Sequence, residues 1–142
     1  MSVMRARQIA VAAHTGQVDK AGADYITHPE RVAARVGDDE SAQAVAWLHD
    51  VVEDTAVSLD DLVVAGMGEQ VVAAVAALTH RPGESAESYY ARVQADPLAL
   101  QVKLADLSDN SDPTRLALLD ETTRERLEAK YARARQLLGR RA

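Results

Sequence analysis

The chain has no cysteine and no phenylalanine, and its 142 residues include one tryptophan, four tyrosines and four prolines. Without thiols there is no disulfide and no thiolate ligand, so any bound metal must be held by histidine and carboxylate groups. A reducing compartment fits that composition. Scarce aromatics and prolines beside abundant Ala, Val, Leu and Arg argue against a sandwich or barrel and for a mostly helical protein. There is no apolar run of about 18 residues and no signal-peptide pattern at the amino terminus, which argues against membrane spanning and export. The expected location is the cytoplasm. Basic residues are in the minority, with a formal net charge of −6, so the chain lacks the footprint of a nucleic-acid binder and no such partner is expected.

Hydrophobic residues make up 47% of the chain, enough for one sizeable core, and the length suits a single domain over residues 1–142. Helix punctuation is frequent. Residues 2–17 carry Ile9, Ala10 and Ala13 at helical spacing and end near Gly16, while DKAGADYIT reads as a loop. Pro29 suits the first turn of a second helix closed by Gly37, and residues 41–54 form the next. Ser58 opens another, with Asp60 and Asp61 in its first turn, and Gly66 and Gly68 separate it from EQVVAAVAALTH. A break at RPGES precedes a helix from about Ser85, Pro97 opens PLALQVKLADLSDN, and Asp112-Pro113 marks a further turn. The basic tail KYARARQLLGRR reads as an amphipathic final helix with a solvated cationic face.

The stretch WLHDVVEDT places His49, Asp50, Glu53 and Asp54 among apolar neighbours. At roughly 100° per residue, Ala44, Val45, Leu48, Val51 and Val52 share one side of a helix and the four ionisable groups share the other. Two readings follow: a helix with one face in water, or a core helix whose polar face lines a cleft. His28 precedes Pro29, where the backbone is restricted, and Asp106 follows VKLA on another helix. Together with His49 and Asp50 these make a set of nitrogen and oxygen donors suited to a divalent first-row metal such as Mn²⁺, Fe²⁺ or Zn²⁺.

In order along the chain, AHTGQ, DKAGADYITHPERVA, AVAWLHDVVEDT and VKLADLSDN resemble the hydrolase domain of Rel/Spo homologues in the HD superfamily of metal-dependent phosphohydrolases, over about residues 8–115. The resemblance implies a compact all-α HD domain with one Mn²⁺ held by His28, His49, Asp50 and Asp106. It gives Glu53 and Asp54 to water activation and proton transfer. Each lies four positions after a metal ligand, one turn on along the same face. The implied reaction removes pyrophosphate from the 3′ position of (p)ppGpp, in a hydrolase-only protein without room for a synthetase domain. Lys20, Tyr25 and Asn110 match substrate-side positions.

Two departures bear on the substrate. Asp19 stands where the family commonly has a base-stacking cation, and a carboxylate cannot replace a planar guanidinium there. Leu107, Ser108, Asp109 and Asn110 stand where the family usually reads Arg-Leu-His-Asn, leaving Asn110 as the match. An HD phosphatase acting on another nucleotide, a nucleoside monophosphate or NADPH, is therefore an alternative, as is a non-catalytic metal- or nucleotide-binding sensor. A sensor would be free to lose Glu53 or Asp54, and both are present. Of the remaining candidates, His14 reads as a structural hydrogen-bonding residue, His80 as a helix-end residue meeting the dipole, Tyr89 and Tyr90 as core, and Arg115 as a candidate phosphate contact.

Overall fold

A computed structural model describes residues 3–139 of the chain. Its helices are α1 (Val3–Ala13), α2 (Thr27–Arg35), α3 (Glu40–Leu48), α4 (Val51–Asp54), α5 (Leu59–Val64), α6 (Glu69–Leu78), α7 (Ala86–Ala95), α8 (Pro97–Asn110), α9 (Pro113–Leu116) and α10 (Glu121–Leu138). Beyond helices and turns, the described residues contain one isolated antiparallel bridge, Val18 to Asp24, which pinches the loop between α1 and α2. Residues 1–2 of the expected single domain, and Arg140 and Arg141 of its basic tail, lie outside the described residues. Among the described residues no helix is long and apolar enough to cross a membrane.

Short polar side chains start most of these helices by accepting backbone N–H groups that have no partner inside the helix. Asp39 accepts from Ala42 at α3, Ser85 from Ser88 at α7, Asp96 from Leu98 and Ala99 at α8, and Asp120 from Thr123 at α10. Ser58 and Asp61 cap each other's backbone at α5.

The middle of the fold is α3. Ala42, Ala44, Val45, Ala46, Trp47 and Leu48 are all buried, and α1, α2, α6 and α8 pack around them. A helix buried all round through Ala44–Leu48 belongs inside a protein, and its alanines let the neighbours approach closely. This decides between the two readings of the central segment: it is a core helix. Truncating Leu48, fully buried, to Ala would cost about 2–5 kcal/mol.

The expected single helix over 41–54 is broken. Regular geometry stops at Leu48, Asp50 sits at φ −108°, ψ −1°, and α4 is a separate turn. The apolar spacing of Val51 and Val52 continues through the break, which is why periodicity does not reveal it. The expected first helix over 2–17 is also shorter at its carboxyl end: α1 stops at Ala13, and Gly16 turns the chain at φ +86°, a conformation that favours glycine. The final helix is amphipathic as expected, with Leu127, Ala134, Leu137 and Leu138 buried.

Candidate metal centre and its cleft

Three elements deliver the ligand candidates. His28 lies in the first turn of α2, His49 at the end of α3, and Asp106 on α8. All three are buried, and one ligand atom from each lies within 4.8 Å of the others. Asp50 adjoins them, with Oδ2 3.0 Å from His49 Nε2.

The tautomers follow from the outer partners of the two rings. His49 Nδ1 lies 2.6 Å from the carbonyl oxygen of Ala46, which can only accept, so Nδ1 carries the hydrogen. His28 Nδ1 in turn donates to Asp109 Oδ2 at 2.7 Å, and Asp109 Oδ1 accepts from Arg31 at 2.8 Å. In its neutral form each imidazole therefore turns an Nε2 lone pair inward. Asp106 Oδ1 lies 2.8 Å from His28 Nε2 and 3.4 Å from His49 Nε2, and the latter is a buried atom with no hydrogen-bond partner among the described residues.

Lone pairs converging at these distances repel unless positive charge lies among them. Protons supply it in one way and a divalent cation in another, and buried donors of this mixed kind fit the cation. A carboxylate backing a histidine from outside, as Asp109 backs His28, is the arrangement that orients metal-ligating rings. The same field acts on each group. Burial opposes ionisation of Asp106, yet the Lys103 charge, the contact with His28 and the nearby His49 hold its carboxyl well below the ordinary range. Burial likewise opposes Asp50, and the neighbouring His49 charge brings it down to about 2. For His28 and His49 burial disfavours the charged form, but the surrounding carboxylates outweigh it and raise both.

The acidic pair on α4 faces a cavity of about 430 Å³ lined also by His28, Asp50 and Asp106. Glu53 Oε1 accepts from both the backbone N–H and Nδ1 of His80, each at 2.8 Å, and the side-chain bond pulls its carboxyl below the ordinary value. Asp54 moves the other way, pushed up by burial and then by the charges of Asp50 and Glu53. Gln17 donates to the Asp54 carbonyl at 3.2 Å, tying this turn to the loop after α1.

Lys20, Tyr25 and Asn110, expected on the substrate side, all line the cavity. The polar atoms of two of them are engaged with the candidate ligand carboxylates: the Tyr25 hydroxyl donates to Asp50 Oδ2, and Asn110 Nδ2 donates to Asp106 Oδ1 at 3.0 Å. The Tyr25 ring is half-buried against His14 and His28. Lys20 is exposed, and it is joined on the lining by Lys103, Arg115 and Lys130. Burial first, and then the charges of Lys20 and Lys103, lower Lys130, so these cations feel one another.

Asp19 has structural work in this loop. Its Oδ1 accepts from the backbone N–H groups of Ala21 and Ala23, and Oδ2 lies 3.6 Å from the Arg115 guanidinium. His14 is the structural residue expected, buried with Nδ1 3.0 Å from Gln17 Oε1, and Tyr89 and Tyr90 are core.

Sequence reasoning missed three residues here. Lys103 sits 3.0 Å from Asp106 Oδ2, and its i, i+3 spacing on α8 was a readable signal. Asp109 was read as a departure from the family pattern, although it is the partner of His28. His80 was expected to meet a helix dipole; it bonds Glu53 instead, because Thr79 closes α6 and turns the next residue toward α4.

No protein-family model matches the chain. It is 37% identical over 120 residues to a GTP pyrophosphokinase of Streptomyces coelicolor, and 34% identical over 119 residues to a guanosine-3′,5′-bis(diphosphate) 3′-pyrophosphohydrolase of Aquifex aeolicus. Each alignment takes in 76% of this chain but only 14% and 17% of the respective relative, so the chain spans a small part of the length of the curated relatives it matches. A solved structure of a metazoan ortholog of SpoT, described as hydrolysing ppGpp and playing a role in starvation responses, matches with a TM-score of 0.81. That likeness covers 96% of this chain and 85% of that one at 24% identity.

The class defined by this architecture is the all-helical, HD-like fold. In sequence the chain is similar to one segment of the pyrophosphokinase and the pyrophosphohydrolase named above.

Proposed function

We propose that the protein is a metal-dependent nucleotide phosphohydrolase acting on (p)ppGpp at the 3′ pyrophosphate. The observation that carries this reading is the convergence of two inward-facing imidazole lone pairs on the Asp106 carboxylate, beside an acidic pair that opens into the same cleft. The relatives named for ppGpp hydrolysis support the substrate.

His28, His49, Asp50 and Asp106 would hold the divalent ion, Mn²⁺ by preference, with Fe²⁺ or Zn²⁺ also matching the donor set. When bound, such an ion acidifies water and neutralises the charge that develops on phosphate. The residues of the chain do the rest. Asp109 and the Ala46 carbonyl fix the two imidazoles, and Tyr25 and Asn110 restrain the carboxylates of Asp50 and Asp106. Glu53, whose surroundings keep it ionised, takes the proton from the attacking water. Asp54, whose carboxyl is shifted upward by burial and by the charges of Asp50 and Glu53, returns a proton to the 3′ oxygen as its bond to phosphorus breaks. Lys20, Arg115 and Lys130 meet the negative charge of the phosphates.

The test is product release from ppGpp, pppGpp, nucleoside monophosphates and NADPH by Mn²⁺-loaded protein, with Asp50→Ala as control. Pyrophosphate released from ppGpp by the wild type alone is the expected result. Phosphate from another member of the panel would make the protein an HD phosphatase of different specificity, the outcome that Asp19 would favour. Binding without turnover would make it a sensor.

A further inference from the structure

His80 lies outside the residues that reach the candidate ion, yet it makes both hydrogen bonds that Glu53 Oε1 receives. We propose that His80 is the positioning residue for Glu53, clamping Oε1 from two directions so that Oε2 is the oxygen offered to the cleft. This rests on the hydrolase reading above for its consequence in turnover, though not for the geometry of the clamp.

Glu53 has little else to hold it. Helix α4 is a single turn, and a glutamate side chain has enough rotatable bonds to sweep its carboxylate across the cleft mouth. A general base must instead be held within hydrogen-bond reach of the proton it takes. The backbone N–H of His80 supplies one restraint. The ring supplies the second, and because a carboxylate oxygen only accepts, Nδ1 must carry the hydrogen.

The ring is itself seated. It stacks on Tyr89 at a centroid distance of 3.7 Å and 12° between planes. Tyr89 is 1% exposed, and its hydroxyl donates to the Leu78 carbonyl at 2.9 Å, so the platform is anchored to the end of the helix that precedes His80. Arg92 and Lys103 both lie 5.4 Å from the Tyr89 ring centroid, and Lys103 also reaches Asp106. One connected set of contacts thus runs from a ligand carboxylate on α8, through the tyrosine on α7, to the base on α4.

Three substitutions separate donation from stacking. His80→Phe keeps an aromatic ring for Tyr89 and removes the donor. His80→Asn places an amide N–H near the position of Nδ1, and His80→Ala removes both features. In full-length, Mn²⁺-loaded protein, His80→Phe and His80→Ala should each lower kcat for ppGpp on the order of tenfold to a hundredfold. KM and metal content should stay put, and His80→Asn should recover most of the loss. Equal kcat in wild type and His80→Phe, or equal loss in His80→Asn and His80→Phe, would overturn the inference.

A second readout does not need turnover. With ¹³C-labelled glutamate, the carboxyl titration of Glu53 should move upward in His80→Phe, because the bond that lowers it is gone. An unmoved titration would sink the clamp whatever the activity. No turnover by the wild type together with a shifted Glu53 titration would instead leave the clamp in place and remove the hydrolase reading.

Discussion

His28 and Asp109 lie 81 positions apart in the chain and 2.7 Å apart in the fold, with the ring Nδ1 donating to a carboxylate that is entirely buried. The bond decides which nitrogen of His28 faces Asp106. Asp109→Asn keeps the shape and removes the charge that backs the ring, and outer partners of metal-bound histidines are worth about 10–100-fold in affinity. A fall of that size in Mn²⁺ affinity, measured by competition with a chelator, is the expected outcome; unchanged affinity would mean that His28 needs no such support.

The same residue makes an acid-stability prediction. Burial pushes the Asp109 carboxyl up, but the hydrogen bonds from His28 and Arg31 win and hold it at about 2, below its ordinary 3.8. A depressed folded-state value adds stability that is fully present above the ordinary value and is lost as the pH falls through about 2. Urea melts of the wild type should therefore weaken between about pH 4 and pH 2, and Asp109→Asn should flatten that part of the profile.

Glu53→Gln and Asp54→Asn should each reduce kcat by roughly 10²–10⁴-fold, the usual worth of a positioned acid or base. Metal content should be preserved in both, since neither is among the proposed ligands His28, His49, Asp50 and Asp106. Loss of metal in either variant would reassign that carboxylate from proton transfer to ligation.

Tyr25→Phe tests what the phenol does. Its hydroxyl serves Asp50 and its ring packs against His14 and His28, so the variant should weaken metal binding about tenfold, in line with a hydrogen bond to a charged group. A rise in KM with metal affinity unchanged would show the tyrosine acting on substrate instead.

What could be read from the sequence was mostly local. Pro29 and Pro97 do lie in the first turns of α2 and α8, because the ring's fixed φ and missing N–H are tolerated there, whereas Pro113, expected in a turn, opens the short α9. The clustering of His28, His49 and Asp106 was legible through the order of the motifs. The break after Leu48 was not, since it answers to demands from elsewhere: His49 folds back on Ala46 while Asp50 is engaged by Tyr25 from the preceding loop. Nor was His80, whose partner lies 27 residues upstream. Helix periodicity records which face is apolar and carries no information about which polar group will meet which across the core.

The cations lining the cleft have a consequence for how a substrate arrives. The chain carries −6 overall, so a polyphosphate approaching from a distance meets net repulsion. Within a Debye length, about 8 Å at physiological ionic strength, the nearest charges dominate, and at the cleft Lys20, Arg115 and Lys130 stand beside the carboxylates of Asp50, Glu53, Asp54 and Asp106. The near field is therefore mixed, positive along the cations and negative along the carboxylates. A polyanion would be repelled at a distance and held at the cleft only where its charge meets the cations. Selectivity of this kind lies in the route of approach, and added salt, by shortening both fields, erodes it from both sides.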